Sequence, residues 1–239
     1  MIDISLIAVR TIAYLSNPNP ILHDLSINIL ANNLKVWHNK QMKKLQEIKK
    51  HLRPGQVYRR EDLAKWSNAV DRHLKQLQEE GKLTKLSGGL YYCPKKTVFG
   101  DAPADDKKLV EAFLRDHRFL LTSPNAYNSL GLGTTQLYNQ TVVYNHKRHG
   151  QFELGGRVFE FRVKPHFPTR LTTEFLLVDM LNNLDTLAED TGAVLERVKN
   201  RLHSFDVSAL ARAVREYGAV RTQKFLAPLL SHGTVPHAA

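Results

Sequence analysis

The side chains whose types and spacing could do chemistry are hydrogen-bond donors and cations strung along one predicted helix. Asn68, Arg72, Lys75 and Glu79 recur at three- and four-residue steps, which puts them on one side of a helix, with Gln76 at its edge. A guanidinium fork matches the O6 and N7 acceptors of guanine, and a carboxamide matches N6 and N7 of adenine. Arg72 is therefore a candidate for a guanine contact, and Asn68 or Gln76 for an adenine contact. Ser67, beside Asn68 at the expected helix start, joins this set. Arg59, Arg60 and Lys65 are candidates for phosphate contacts, which position a protein on a duplex without reading sequence. Lys85 and the Ser87-Gly88-Gly89 turn would reach the flanking backbone or the minor groove.

Catalytic and metal-binding patterns are weak by comparison. His146 and His149 have ligand-like spacing, but Lys147 and Arg148 lie between them and would repel a metal ion. Glu160-x-Arg162 is a faint version of the acid-x-lysine pair of some nucleases, without the lysine or a convincing upstream acid. Thr134-Thr135-Gln136 reads as a cap or turn rather than a nucleophile. Cys93, in a strand before Pro94, reads as packed rather than reactive. Gly131-Leu132-Gly133 is too short to be a phosphate-cradling loop. The expectation is a binding protein and not an enzyme, with no metal and no cofactor.

The elements around the candidate residues form a recognisable order. In Met42 to Leu52, Leu45, Ile48 and Leu52 share a helical face. Arg53-Pro54-Gly55 ends that helix, because proline disfavours helix in the residue before it. Val57 and neighbours form a short extended piece, and Arg60 to Trp66 a second helix with Glu61 and Asp62 in its first turn. Ser67 or Asn68 is expected to cap a third helix reaching Glu80, stopped by Gly81. Lys82 to Leu86 and Leu90 to Cys93 read as two strands joined by a tight turn. This is the winged helix-turn-helix order. Val70, Leu74 and Leu77 supply the apolar back of the third helix, leaving the candidate residues on its front.

Charge is concentrated in the same stretch. The 239 residues carry a net charge of +11, and residues 42–96 hold 14 lysines and arginines against 6 aspartates and glutamates. A basic module joined to a more neutral body points to a polyanionic partner. The composition, 42% hydrophobic and 24% charged, is that of a folded globular chain and excludes wholesale disorder. A single cysteine rules out an intramolecular disulfide and fits a reducing, cytoplasmic setting. The apolar run from Ile4 to Leu15 is broken by Ser5, Arg10 and Thr11, so neither a membrane span nor a secretory leader is expected.

Beyond the wing, Gly89-Leu90-Tyr91-Tyr92-Cys93-Pro94, then Phe99-Gly100, then the segment from Thr122 to Gln136 (TSPNAYNSLGLGTTQ) stand in a fixed order. With the following strands and a helical C-terminus, this resembles the AbiEi family of bacterial antitoxins, over about residues 42–230. The resemblance implies a winged helix that binds the promoter of its own operon as an autorepressor. It also implies a C-terminal domain required for antitoxicity against a nucleotidyltransferase-like toxin, without a stable complex. The alternative is a winged-helix regulator whose body senses a small molecule or a protein, with no toxin involved.

The expected fold is α+β, with the winged helix at 42–96, an α+β body at 97–230 and a tail at 231–239. In the body, Asp105 to His117 reads as an amphipathic helix, and Pro124 opens a short helix ending near Gly131. Strands are expected at Thr141–Asn145, Gly150–Leu154 and Arg157–Lys164, with Phe159, Phe161 and Val163 on one face. Four helices follow, spanning Thr172–Leu187, Thr191–Phe205, Ser208–Tyr217 and Val220–Leu230, with Asp190 and Asp206 placed as N-caps. Residues 1–41 fall outside the resemblance. Met42 is expected to open the first helix, so these residues read as an upstream extension. The rival expectation is an arm whose Ile21, Leu22, Leu25, Ile29 and Leu34 pack on the winged domain.

Overall fold

A computed structural model describes residues 20–232. They divide into two compact units: residues up to 84 with 91–102, and residues 85–90 with 103 onward. The architecture is mixed α+β, with N-terminal helices and small sheets, a central mixed sheet and a helical C-terminus.

The first unit is built on α1 (Pro20–His51), whose last three turns bury Leu45 and Ile48. Tyr58 ends it by donating its hydroxyl to His51 O at 3.0 Å and accepting from Arg53 N at 2.7 Å. Then follow β1 (Val57–Arg59), α2 (Arg60–Ala64) and α3 (Val70–Glu79). Gly81, at φ +65°, lets the chain turn so that Lys82 and Leu83 both donate to Leu77 O. Strands β2 (Thr84–Ser87) and β3 (Leu90–Tyr92) form the wing, in a sheet ordered β1-β3-β2, although residues 85–90 of it count with the second unit. Leu45, Ile48, Leu63, Val70, Leu74, Leu77, Leu83, Tyr91 and Cys93 make one core, and burial pushes the Cys93 thiol pKa up. A second hairpin, β4 (Lys95–Thr97) with β5 (Gly100–Ala102), follows the wing.

Four local features differ from the expectation. Helix α1 does not open at Met42; it is continuous from Pro20, because nothing between Ile21 and Gln41 breaks a helix. Leu34 does not pack as an arm residue: it is 65% exposed, and Val36 and Trp37 are exposed as well. The side chains of Ile21, Leu22, Leu25 and Ile29 lie outside the described residues, as do residues 1–19 and the tail from 233 onward. Helix α2 stops at Ala64 rather than Trp66, and α3 begins with Ala69 in the cap position and no side-chain cap.

The second unit holds a four-stranded sheet ordered β6-β7-β9-β8, from β6 (Phe119–Thr122), β7 (Thr141–Asn145), β8 (Gly150–Leu154) and β9 (Arg157–Val163). Strands β7 and β9 are parallel, and the other two pairs are antiparallel. Phe159 and Phe161 are fully buried, whereas Val163 is exposed where β9 has passed the end of β8 and pairs with β7 alone. Helix α4 (Asp106–Leu114) is capped by Asp105, which accepts from Lys108 N. A 3-10 turn, Pro124–Leu130, packs against α5 (Thr173–Asn182), in which every residue from Phe175 to Leu181 is buried. Around it pack α6 (Thr191–Arg201), α7 (Val207–Tyr217) and α8 (Val220–His232), with Asp190 and Asp206 capping α6 and α7. Shorter 3-10 turns occupy the ends expected as helix, Leu184–Thr186 and Leu202–Ser204.

A buried carboxylate ties this unit together. Asp179, fully buried, accepts from the hydroxyls of Tyr127 and Tyr144 at 2.9 Å and from Lys164 Nζ at 3.0 Å. Burial, reinforced by the Asp179 charge, holds both tyrosine pKa values above the ordinary phenol value, so both remain donors. The Gly131-Leu132-Gly133 segment also has a structural role. Both glycines have positive φ, and Arg201 and Arg197 reach in from α6 to donate to Gly131 O and Leu132 O. A Cβ at either glycine would collide with those guanidinium groups.

Candidate nucleic-acid interface

Helix α3 presents two contrasting faces. Val70, His73, Leu74 and Leu77 are buried, while Arg72, Lys75 and Glu79 are exposed or partly so, with Gln76 half-buried and Asn68 exposed just before the helix. The apolar side seats the helix on α1 and α2 through the shared core. His73 is 2% exposed, with Nδ1 at 2.8 Å from Ser67 Oγ, and burial, with Arg72 beside it, lowers its pKa below the usual histidine value. The remaining front can make hydrogen bonds to base edges and ion pairs to phosphates.

The candidate residues fare differently. Asn68 and Lys75 are exposed and, among the described residues, have no side-chain hydrogen bond or ion pair. Arg72 lies over the Trp37 ring, 4.6 Å from its centroid. Ser67 does not face solvent. It is 4% exposed, and its hydroxyl is occupied by His73 and Ala69 N, so it is not presented to a base edge. Arg60 is held in a bidentate pair with Asp71, both contacts at 2.6 Å, which already matches its charge. Lys65 pairs with Asp62 at 3.1 Å, Arg59 lies 3.9 Å from Glu61, and Gln76 donates to Glu80. These exposed pairs are individually weak and exchange readily for a phosphate. The wing residues Lys85, Ser87, Gly88 and Gly89 belong to the second unit, in which Leu86 O accepts from Gly155 N at 3.0 Å. Lys85 and Gly88 are at the surface, and Ser87 is half-buried.

Sequence reasoning assigns Trp37 no role. Its signal is nonetheless there: it lies about three helical turns before Ile48, so it extends the same face of α1 beyond the core. Elsewhere, His146 stacks on Phe167 with centroids 4.7 Å apart, and Glu160 bonds Arg162 and Gln140. No group of three or more potential metal ligands occurs among the described residues, and no helix in them is long and apolar enough to cross a membrane.

No family model matches the chain, and no curated protein matches it. Among solved structures it is similar to the crystal structure of the Rv2827c protein from Mycobacterium tuberculosis. The two are 16% identical, over 76% of this chain and 73% of that one, with a TM-score of 0.48. At that level of likeness, the functional reading rests on this chain's own residues.

Proposed function

We propose that this chain is a sequence-reading DNA-binding regulator that contacts promoter DNA through the exposed face of α3. The observation that carries the reading is the division of α3 into a buried apolar side and a front of Asn68, Arg72 and Lys75. That front lies in a stretch with 14 cations against 6 anions, which favours a polyanion over a neutral partner. Arg72 reads guanine, Asn68 reads adenine, and Lys75 and Lys85 hold phosphates. The protein acts by occupying DNA rather than by catalysis, without a cofactor. In the AbiEi-like role, it represses its own operon and counteracts a nucleotidyltransferase-like toxin encoded alongside it.

Footprinting of the purified chain on the DNA upstream of its own gene tests the promoter-binding role. A discrete protected site is expected, and uniform protection at every sequence would contradict specific reading. Co-expression with the neighbouring gene tests the antitoxin role. Restored growth is expected, and growth arrest unchanged by the chain would contradict it.

A second reading has an observation of its own. In the second unit, His146, His166, Phe167, Arg215, Glu216 and Tyr217 line an open cavity of about 350 Å³, large enough for a small molecule. A sensor would take its effector there. A metabolite that raises the melting temperature and shifts DNA affinity would favour this reading over the antitoxin one.

A further inference from the structure

The β4–β5 hairpin ends in Val98 and Phe99, which are 94% and 99% exposed. The register pairs Lys95 with Ala102, Lys96 with Asp101 and Thr97 with Gly100, so the two apolar residues alone form the tip. The tip is held in shape. Thr97 Oγ1 donates to Gly100 O at 2.8 Å and accepts from Phe99 N at 3.3 Å, Lys96 pairs with Asp101 at 2.7 Å, and Tyr92 anchors the base by donating to Ala102 O. A fixed ribbon thus exposes two consecutive large apolar side chains to water, with no gain to the fold. Such a pair marks a contact surface.

Its flanks indicate the partner. Behind the Thr97–Gly100 pair stand Lys96, matched by Asp101, and then Lys95, whereas lysine is depleted at protein–protein interfaces. The hairpin belongs to the same unit as α3. Apolar wedges backed by cations are what duplex DNA accepts in its minor groove, where they separate adjacent base pairs at an easily unstacked pyrimidine–purine step. We infer that the β4–β5 hairpin is a second DNA-contacting element, with Phe99 and Val98 as a minor-groove wedge and Lys95 on the phosphate backbone. The inference rests on the DNA-binding reading above.

The test uses the full chain and a mixed-sequence duplex with a central TpA step, its adenine replaced by 2-aminopurine. Wild-type protein should raise the 2-aminopurine fluorescence as the step unstacks. Phe99→Ala should lose that signal and bind about tenfold more weakly, in the range found for removing an aromatic stacked on a base. Its melting temperature should not change, because Phe99 makes no core contact, and Phe99→Leu should keep some of the signal. Wild-type binding without a fluorescence rise would overturn the wedge. So would Phe99→Ala binding as wild type while Arg72→Ala binds more weakly. In that case the DNA-binding reading stands and the tip serves a protein partner. A wild-type chain that binds no duplex at all would overturn both.

Discussion

At the scale of single residues, the face of α3 proposed to read DNA is held from two sides by ring side chains, Trp37 and His73. Trp37 fixes the Arg72 guanidinium by a cation–π contact, worth about 0.5–1 kcal/mol at an exposed site. Trp37→Ala should therefore weaken promoter affinity about twofold to fivefold, and should add nothing once Arg72 is alanine. Additive losses in that double-mutant cycle would show that Trp37 acts independently. His73 holds the opposite side of the helix, buried against Ser67. The unfolded chain gains a proton on this histidine near its ordinary value of 6.5, and the folded one only at lower pH. Stability is thus complete above that value and falls as the pH drops through it toward the folded-state pKa. Melting temperatures from neutral pH to about pH 5 should show this loss, with a flatter profile for His73→Gln. An equally steep profile in the variant would assign the loss to other groups.

At the scale of elements, the predicted periodicities are largely the observed ones. Thr141–Asn145 and Gly150–Leu154 are strands as read, and Asp190 and Asp206 are caps, because alternation and N-cap chemistry are local and need no partner. What the sequence did not reveal depends on tertiary pairing. Phe119–Thr122 is a short apolar run without alternation, and it becomes β6 only by pairing with β7. The Lys95–Ala102 hairpin has no core-facing alternation at all. Ser67 has the right residue type and position for a helix cap, yet the turn before α3 places its hydroxyl against His73 instead. The Asp179 centre was equally invisible, since it joins Tyr127, Tyr144 and Lys164 from distant segments. Asp179→Ala leaves a lysine and two phenols without their shared acceptor, so unfolding in urea should show a loss of about 3–5 kcal/mol. A loss below about 1 kcal/mol would mean that water replaces the carboxylate.

At the scale of the whole molecule, the surplus positive charge lies in residues 42–96, the stretch that holds α3 and the front proposed to read bases, and the DNA-binding proposal rests on that coincidence. Affinity and specificity then come from different side chains and should separate on mutation. The measurement is a fluorescence-anisotropy titration of the full chain and its Arg72→Ala and Lys75→Ala variants. Each is titrated against the promoter duplex and a scrambled duplex, over a series of salt concentrations. Lys75→Ala should weaken binding to both duplexes alike and lower the salt slope by about one unit. Arg72→Ala should cost about 1–3 kcal/mol on the promoter duplex and much less on the scrambled one, so the ratio between them collapses. A promoter-to-scrambled ratio unchanged by Arg72→Ala would contradict sequence reading by α3.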